Sequence, residues 1–279
     1  MNTYIKKCKW GKFILIRGDM ICNHVDMYGE WSETEVDLFR SLVPENGNCI
    51  EVGSNIGMHA VPLSIICKNG SVFCYEPQRP IYHVLCGNLA INCRLNVIAR
   101  NVAVGAQPGH IEIDTSDYEE PWNYGAFSIA QGFNAEGQYR SNTHKITIDM
   151  ITLDDDPALT NLENISLIKI DAEGFEANVL LGARKLIERH QPNVFIEANS
   201  EPTVRKVLAE MHAIDYVGYW FINNRFRANN YNRLPYRMNG YDQNIIFLPR
   251  GRPLPGTPLM PVMDFGDIGR GVPILDSYR

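Results

Sequence analysis

Residues 48–57 read NCIEVGSNIG, an apolar run that ends on a carboxylate and turns on two glycines in the pattern G-x-N-x-G. A short apolar run that stops at glycines before a helical stretch is the first strand–turn–helix of a parallel α/β sheet. Such a turn sets backbone N–H groups and the helix N-terminus against a ligand. Glu51 closes the strand, where its charge opposes a pyrophosphate and favours a cation.

Working outward from this turn, the same unit recurs. SVFCYEP (71–77), NVIARNVAVG (96–105), ISLIKIDAEG (165–174) and NVFIEAN (193–199) read as four further strands. Apolar spacing and end signals predict helices over about 58–67, 80–93, 177–190 and 201–212. Strands alternating with helices predict a Rossmann-like doubly wound sheet, mostly parallel and covered on both faces. YVGYWFI (216–222) and QNIIFLP (243–249) have no helical pattern between them and are expected to close the sheet as an antiparallel pair.

Upstream, residues 1–30 read as short strands and a turn. SETEVDLFRSL (32–42) reads as a helix capped by Ser32, with Glu35 three residues on. An insertion over 114–145 is rich in Gly, Asn, Ser and aromatics, which predicts a lid or a mobile segment. The stretch after Leu248 is dense in Pro and Gly and is expected to lack regular structure and to wrap the domain or a partner. The chain therefore divides into 1–45, 46–250 and 251–279.

Composition bounds the function. With 279 residues, 45% of them hydrophobic, the chain can bury a large core. A net charge of −6 lacks the basic footprint of a nucleic-acid binder and argues against a polybasic membrane anchor. No apolar stretch reaches the ~18 residues of a membrane span. The seven cysteines include no C-x-x-C and sit mostly in apolar runs, as reduced core thiols of a cytoplasmic protein do. An amino-methylating site would show Asn/Asp-Pro-Pro-aromatic after the fourth strand, where this chain has DAEG, and there is no Pro-Cys nucleophile.

Glu76 ends the second strand roughly 20 residues past the glycines, where a carboxylate accepts hydrogen bonds from two ribose hydroxyls. Two ligands with a ribose compete. A dinucleotide needs a glycine where this chain has Asn55, and it brings a pyrophosphate to Glu51. S-adenosylmethionine brings an ammonium and a sulfonium, both suited to Glu51.

With these residues the sequence resembles the FkbM-type S-adenosylmethionine-dependent methyltransferases. The likeness rests on IEVGSNIG, FCYEPQ, NVAVG, ITLDD and, above all, LIKIDAEGFEANVLLGA followed by VFIEAN, and spans about residues 28 to 250. It implies a class I methyltransferase sheet of seven strands, the last antiparallel, and O-methylation of a saccharide, glycan or secondary metabolite. It implies that Glu51, Gly53, Ser54, Asn55 and Gly57 cradle the methionine end, with Glu76 on the ribose. Pro77 and Gln78 would meet the adenine edge, and Asn101 to Ala103 its other face. The family more often has Asp-x-Gly-Ala-Asn where this chain has Glu51 and Ser54, and a His where this chain has Phe221.

Transfer to a hydroxyl also needs a proton acceptor. A carboxylate of pKa ~4 is a poor match unless a His or a metal helps it. Asp171, at the end of the fourth strand, and the histidines His59 and His144 are the candidate catalytic residues. Asp171, Glu197 and Asn199, on adjacent strand ends, could hold Mg²⁺. Glu173 and Glu176 read as partners of a helix dipole. The run RANNYNRLPYRMNGY (227–241), locally basic and aromatic, suits a sugar ring or an anionic glycan, or is a solvated loop. Two other readings stand beside the methyltransferase: an NAD(P)-dependent oxidoreductase on the same sheet, and a non-catalytic interaction module. A homo-oligomer held by the tail is a further expectation.

Overall fold

A computed structural model describes residues 1–133, 137, 139–254 and 256–278. Positions 134–136 and 138 of the insertion, and 255 and 279 of the tail, lie outside the described residues.

An antiparallel hairpin of β1 (Thr3–Cys8) and β2 (Gly11–Ile16) leads into helices α1 (Met20–Tyr28) and α2 (Glu33–Leu42). Next come β3 (Cys49–Val52), α3 (Ala60–Ile66), β4 (Val72–Tyr75), α4 (Arg79–Ile91) and β5 (Val97–Arg100). Strands β6 (Ala103–Val104), β7 (Gly109–Thr115) and β8 (His144–Ile151) build a separate sheet in the order β6-β8-β7. The chain returns through β9 (Leu167–Ile170), α5 (Glu176–Leu181), α6 (Arg184–His190), β10 (Asn193–Glu197) and α7 (Glu201–His212). It ends with β11 (Tyr216–Asn224), β12 (Tyr241–Pro249) and β13 (Ile274–Leu275).

The main sheet has the order β13-β11-β12-β10-β9-β3-β4-β5. The expected parallel set is present, and β12 alone runs antiparallel to its neighbours β10 and β11. The sheet has eight strands, not seven. The eighth, β13, comes from the tail, which the Pro/Gly count left without structure. Two short apolar residues suffice there because β11 offers an open edge, which β13 covers in parallel. Asp267, whose carboxylate accepts from Trp220 Nε1 at 3.1 Å and Met263 N at 2.7 Å, ties the tail back onto the sheet. The tail thus wraps its own domain.

Other local expectations shift for identifiable reasons. NVIARNVAVG divides at Asn101, one half in each sheet. The helix expected over 177–190 breaks at Gly182, where a Cβ would lie 2.0 Å from the Gly105 carbonyl oxygen. Helix α1, unexpected from sequence, is capped by the buried Asp19, which accepts from Cys22 N, and ends at Gly29 (φ 73°). Ser32 does not cap α2. It sits at φ 39° and gives its hydroxyl to Asp242.

Residues alternate between the two faces of the central strands, and each face has its own core. Cys49, Leu167, Phe195, Phe221 and Ile246 belong to the core shared with α2, α3 and the insertion. Ile50, Ile168, Ile196, Ile222 and Phe247 belong to the core under α5, α6 and α7. Period two then puts Glu51, Lys169, Glu197, Arg225, Asn244 and Asp242 on the first face, all at one edge of the sheet. Because β12 is reversed, it is the start of that strand that reaches this edge.

No described helix is long and apolar enough to cross a membrane.

Candidate active site

A cleft opens at the carboxyl ends of β3, β4, β9 and β10, beside the glycine turn. The turn is tight because its backbone requires it. Gly53 has φ 78°, and a Cβ there would lie 1.8 Å from the Asp171 carbonyl oxygen. Asn55 stands at φ 46°, a left-handed conformation that asparagine tolerates, and its Oδ1 accepts from Ile56 N at 2.6 Å. This explains why the middle position need not be glycine.

Glu76 is 3% exposed and pins the turn to β4. One of its oxygens accepts from Asn55 N and the other from Gln78 N, each at 2.9 Å. Burial pushes its carboxyl up to about 7, against the pull of those two N–H groups. Asn101 does not line the cleft. Its Nδ2 donates to the carbonyls of Glu76 (2.8 Å) and Pro77 (3.0 Å), and Val102, Ala103 and Val104 form the wall instead. Gln78 and Pro77 do line it, but the Gln78 amide is already engaged by the insertion, donating to Tyr124 O and accepting from Tyr118 OH. Gly57 lies just behind the lining, between Ile56 and Met58.

Beneath the turn is a buried charge network. Glu51 is pushed up to about 7 by burial, although Lys169 opposes the shift. Lys169, its register partner on β9, is 3% exposed and pairs with Asp171 at 2.9 Å. Burial works against the lysine's charge, but Asp171, Glu51 and Glu35 outweigh it, so its affinity for its proton is raised. Glu35 of α2 is pushed up to about 8, by burial first and by Asp242 next. His59 stands between the two glutamates, Nε2 3.4 Å from Glu35 and Nδ1 3.9 Å from Glu51. Burial and then Lys169 hold its imidazole well below the usual range, so it is neutral.

Asp171, Glu173 and Glu197 each bring a carboxylate oxygen within 4.8 Å of the others, a donor set that fits a hard divalent cation. Asn199 lines the same cleft. Glu173 was expected in a helix; it precedes α5 at φ 46° and faces the cleft. Glu176 opens α5 and accepts from Ala172 N and Gly174 N of the preceding turn. Glu197 is raised well above the usual range by burial and by the charges of Asp171 and Glu173. On the far side, Arg225 pairs with Asp242 at 2.6 Å and lies over the Trp31 ring at 5.4 Å.

His144 does not line the cleft. It is exposed at the start of β8, where it pairs with Thr115 at the end of the β7–β8 hairpin from which the insertion departs. The described residues of the insertion between those strands are packed rather than loose. Tyr118, Tyr124, Phe127 and Phe133 are buried together, and Asn123, Gly125, Phe127 and Ile129 roof the cleft. Asp19 secures it, accepting from Tyr124 N at 3.0 Å.

Sequence reading missed Lys169, Glu35, Arg225, Asp242 and Trp31. Lys169 had a signal, a charge at the fourth position of the apolar run SLIKI, two residues from Asp171. The other four come from elements outside the alternating strand–helix units.

A cleft over a glycine turn, at the carboxyl edge of a doubly wound sheet, is the ligand-binding place of this class of α/β domain. The chain belongs to the FkbM methyltransferase family, for the model described as Methyltransferase FkbM domain matches residues 51–219. No curated protein matches it in sequence. Among solved structures it is similar to methyltransferase FkbM from Methylobacillus flagellatus KT (19% identity, TM-score 0.46), covering 75% of this chain and 47% of that one. This chain therefore spans about half the length of that relative. It is also similar to TYW2 from M. jannaschii, solved in complex with AdoMet (11% identity, TM-score 0.42, covering 88% and 84%). A third is an SAM-dependent O-methyltransferase from Thermotoga maritima (12% identity, TM-score 0.41, covering 90% and 78%).

Proposed function

We propose that this chain transfers a methyl group from S-adenosylmethionine to a hydroxyl of a saccharide, glycan or secondary metabolite. One observation carries the reading. Seven carboxylates line the cleft (Glu35, Glu51, Glu76, Asp171, Glu173, Glu197, Asp242) against two cations, Lys169 and Arg225. Burial holds several of these carboxyls near their neutral form, and an entering cation draws them into the ionised form while a pyrophosphate cannot, which disfavours NAD(P). An interaction module has no use for buried carboxyls, since each costs stability when it ionises.

Bound there, S-adenosylmethionine supplies a methyl group on a cationic sulfur. Glu51 and the turn at Gly53, Ser54 and Asn55 hold the ammonium end, and Glu76 accepts from the ribose hydroxyls with its remaining lone pairs. Val102 and Ala103 give the adenine an apolar wall. The acceptor enters from the β10–β12 side, between Trp31, Arg225 and Asn244. Glu35, backed by the neutral His59, takes the acceptor's proton. Its raised carboxyl suits that task near neutral pH better than Asp171, one oxygen of which already faces Lys169. The Asp171–Glu173–Glu197 cluster fits Mg²⁺, and sensitivity of turnover to EDTA tests that part.

The deciding experiment is calorimetric titration with S-adenosylmethionine and with NAD⁺. Wild type should bind the first at micromolar Kd and not the second, and Glu76→Gln should weaken binding at least tenfold. Binding of NAD⁺ alone, or of neither by folded protein, would overturn the proposal.

A further inference from the structure

We propose that the connection between β11 and β12, with the first residue of β12 (residues 225–241), is a docking platform for an anionic oligosaccharide whose terminal unit enters the cleft. This rests on the reading of the cleft as a site for a hydroxylated acceptor. The connection leaves β11 at Arg225 and joins β12 just before Asp242, and both of these line the cleft. Arg225 N donates to Gly240 O at 3.2 Å, so the two ends close on each other at the cleft's rim.

The connection is held firmly from beneath. Asn230 is 1% exposed, and its amide donates to Arg227 O and Leu234 O while its Oδ1 accepts from Leu234 N. Tyr28 OH donates to Tyr236 O at 2.8 Å and accepts from Met238 N at 2.9 Å. Arg227 pairs with Asp37 at 2.9 Å. These bonds fix the backbone, yet the outward side chains are large and apolar. Tyr236 is 67% exposed, Tyr241 44%, Tyr231 40% and Leu234 39%. A cluster of exposed apolar groups on a firmly held segment marks a contact surface.

Charge narrows the partner. Residues 225–241 hold four arginines and no acid, in a chain of net charge −6. Arg225 and Arg227 have ion-pair partners, and among the described residues Arg233 and Arg237, both exposed, form none. Tyrosine faces accept the apolar C–H faces of sugar rings, and guanidinium groups bind carboxylates through paired N–H donors. Uronate-type residues match both. A nucleic acid fits less well, because a long phosphate backbone would extend past these arginines over a chain of net charge −6.

The test titrates trigalacturonate, neutral maltotriose and poly(U) into the full chain saturated with S-adenosylmethionine. Arg233→Ser/Arg237→Ser and Tyr236→Ala are compared with wild type. Trigalacturonate should bind, maltotriose should bind at least tenfold more weakly, and each variant should lose at least tenfold in trigalacturonate affinity. Affinity for S-adenosylmethionine, titrated separately, should stay unchanged in both variants. Equal binding of maltotriose, no binding of trigalacturonate, or an arginine effect without a Tyr236 effect would overturn the platform. Tighter binding of poly(U) through the same arginines would reassign the surface to nucleic acid. Failure to bind S-adenosylmethionine would instead remove the cofactor reading, a separate result.

Discussion

Binding of a cationic cofactor should release protons, and the structure sets how many. Glu51 is 1% exposed and titrates near 7 in the free protein, because burial outweighs the attraction of Lys169. An ammonium placed against it favours the ionised form, so a protonated Glu51 must lose its proton on binding. A group of pKa about 7 that is fully ionised in the complex gives up about 0.9 proton at pH 6 and about 0.5 at pH 7. The apparent affinity should then fall about eightfold from pH 7.5 to pH 6.0, or about 1.3 kcal/mol. Calorimetry in phosphate and imidazole buffers at each pH reads the released proton directly. Glu51→Gln should flatten the remaining pH dependence toward that of Glu76, which titrates in the same range. Heats that do not depend on buffer, or affinity that rises as pH falls, would refute the reasoning. The same shift fixes a stability trend. A carboxyl raised in the folded state binds more protons there than when unfolded, so the unliganded protein should lose stability as pH rises from about 4.5 through about 7. Each such group costs at most about 3.4 kcal/mol over that range, and the trend should shrink when the cofactor is present.

Two structural predictions follow from single contacts. Gly53→Ala forces a Cβ toward the Asp171 carbonyl at φ 78° and should cost about 3 kcal/mol in urea unfolding, with loss of cofactor binding; an unchanged midpoint would refute it. Asp267→Ala strips the partner from Trp220 Nε1 and Met263 N and should cost about 2 kcal/mol. It should also speed proteolysis after residue 250 and red-shift Trp220 emission, and an intact, uncleaved tail would count against the tail's docking role.

Sequence by itself determined the order of the sheet units and the ends of the strands that matter. Apolar runs of period two, glycines at the first turn and acids at strand ends are local signals, and they located Glu51, Gly53, Asn55, Glu76 and Asp171 at the cleft. The place of His59 beside the turn was legible for the same reason. Local signals fail where a partner lies far along the chain. Asp19 caps a helix and also tethers Tyr124, a residue more than a hundred positions away. His144 looked like a site residue because it closes the insertion, but its side chain is exposed and outside the cleft lining.

Only the tertiary structure brought Glu35 and Arg225 to the cleft that β3 and β9 begin. Their presence follows from the reversed β12, which carries Asp242 and Asn244 to the carboxyl edge, and from α2 packing over the same face. The raised carboxyls arise there too, since burial is a property of the assembled core and not of the run EVGSNIG. The sequence wrote the acids in; the fold decided which of them lose water, which meet Lys169, and which are left to attract a cation.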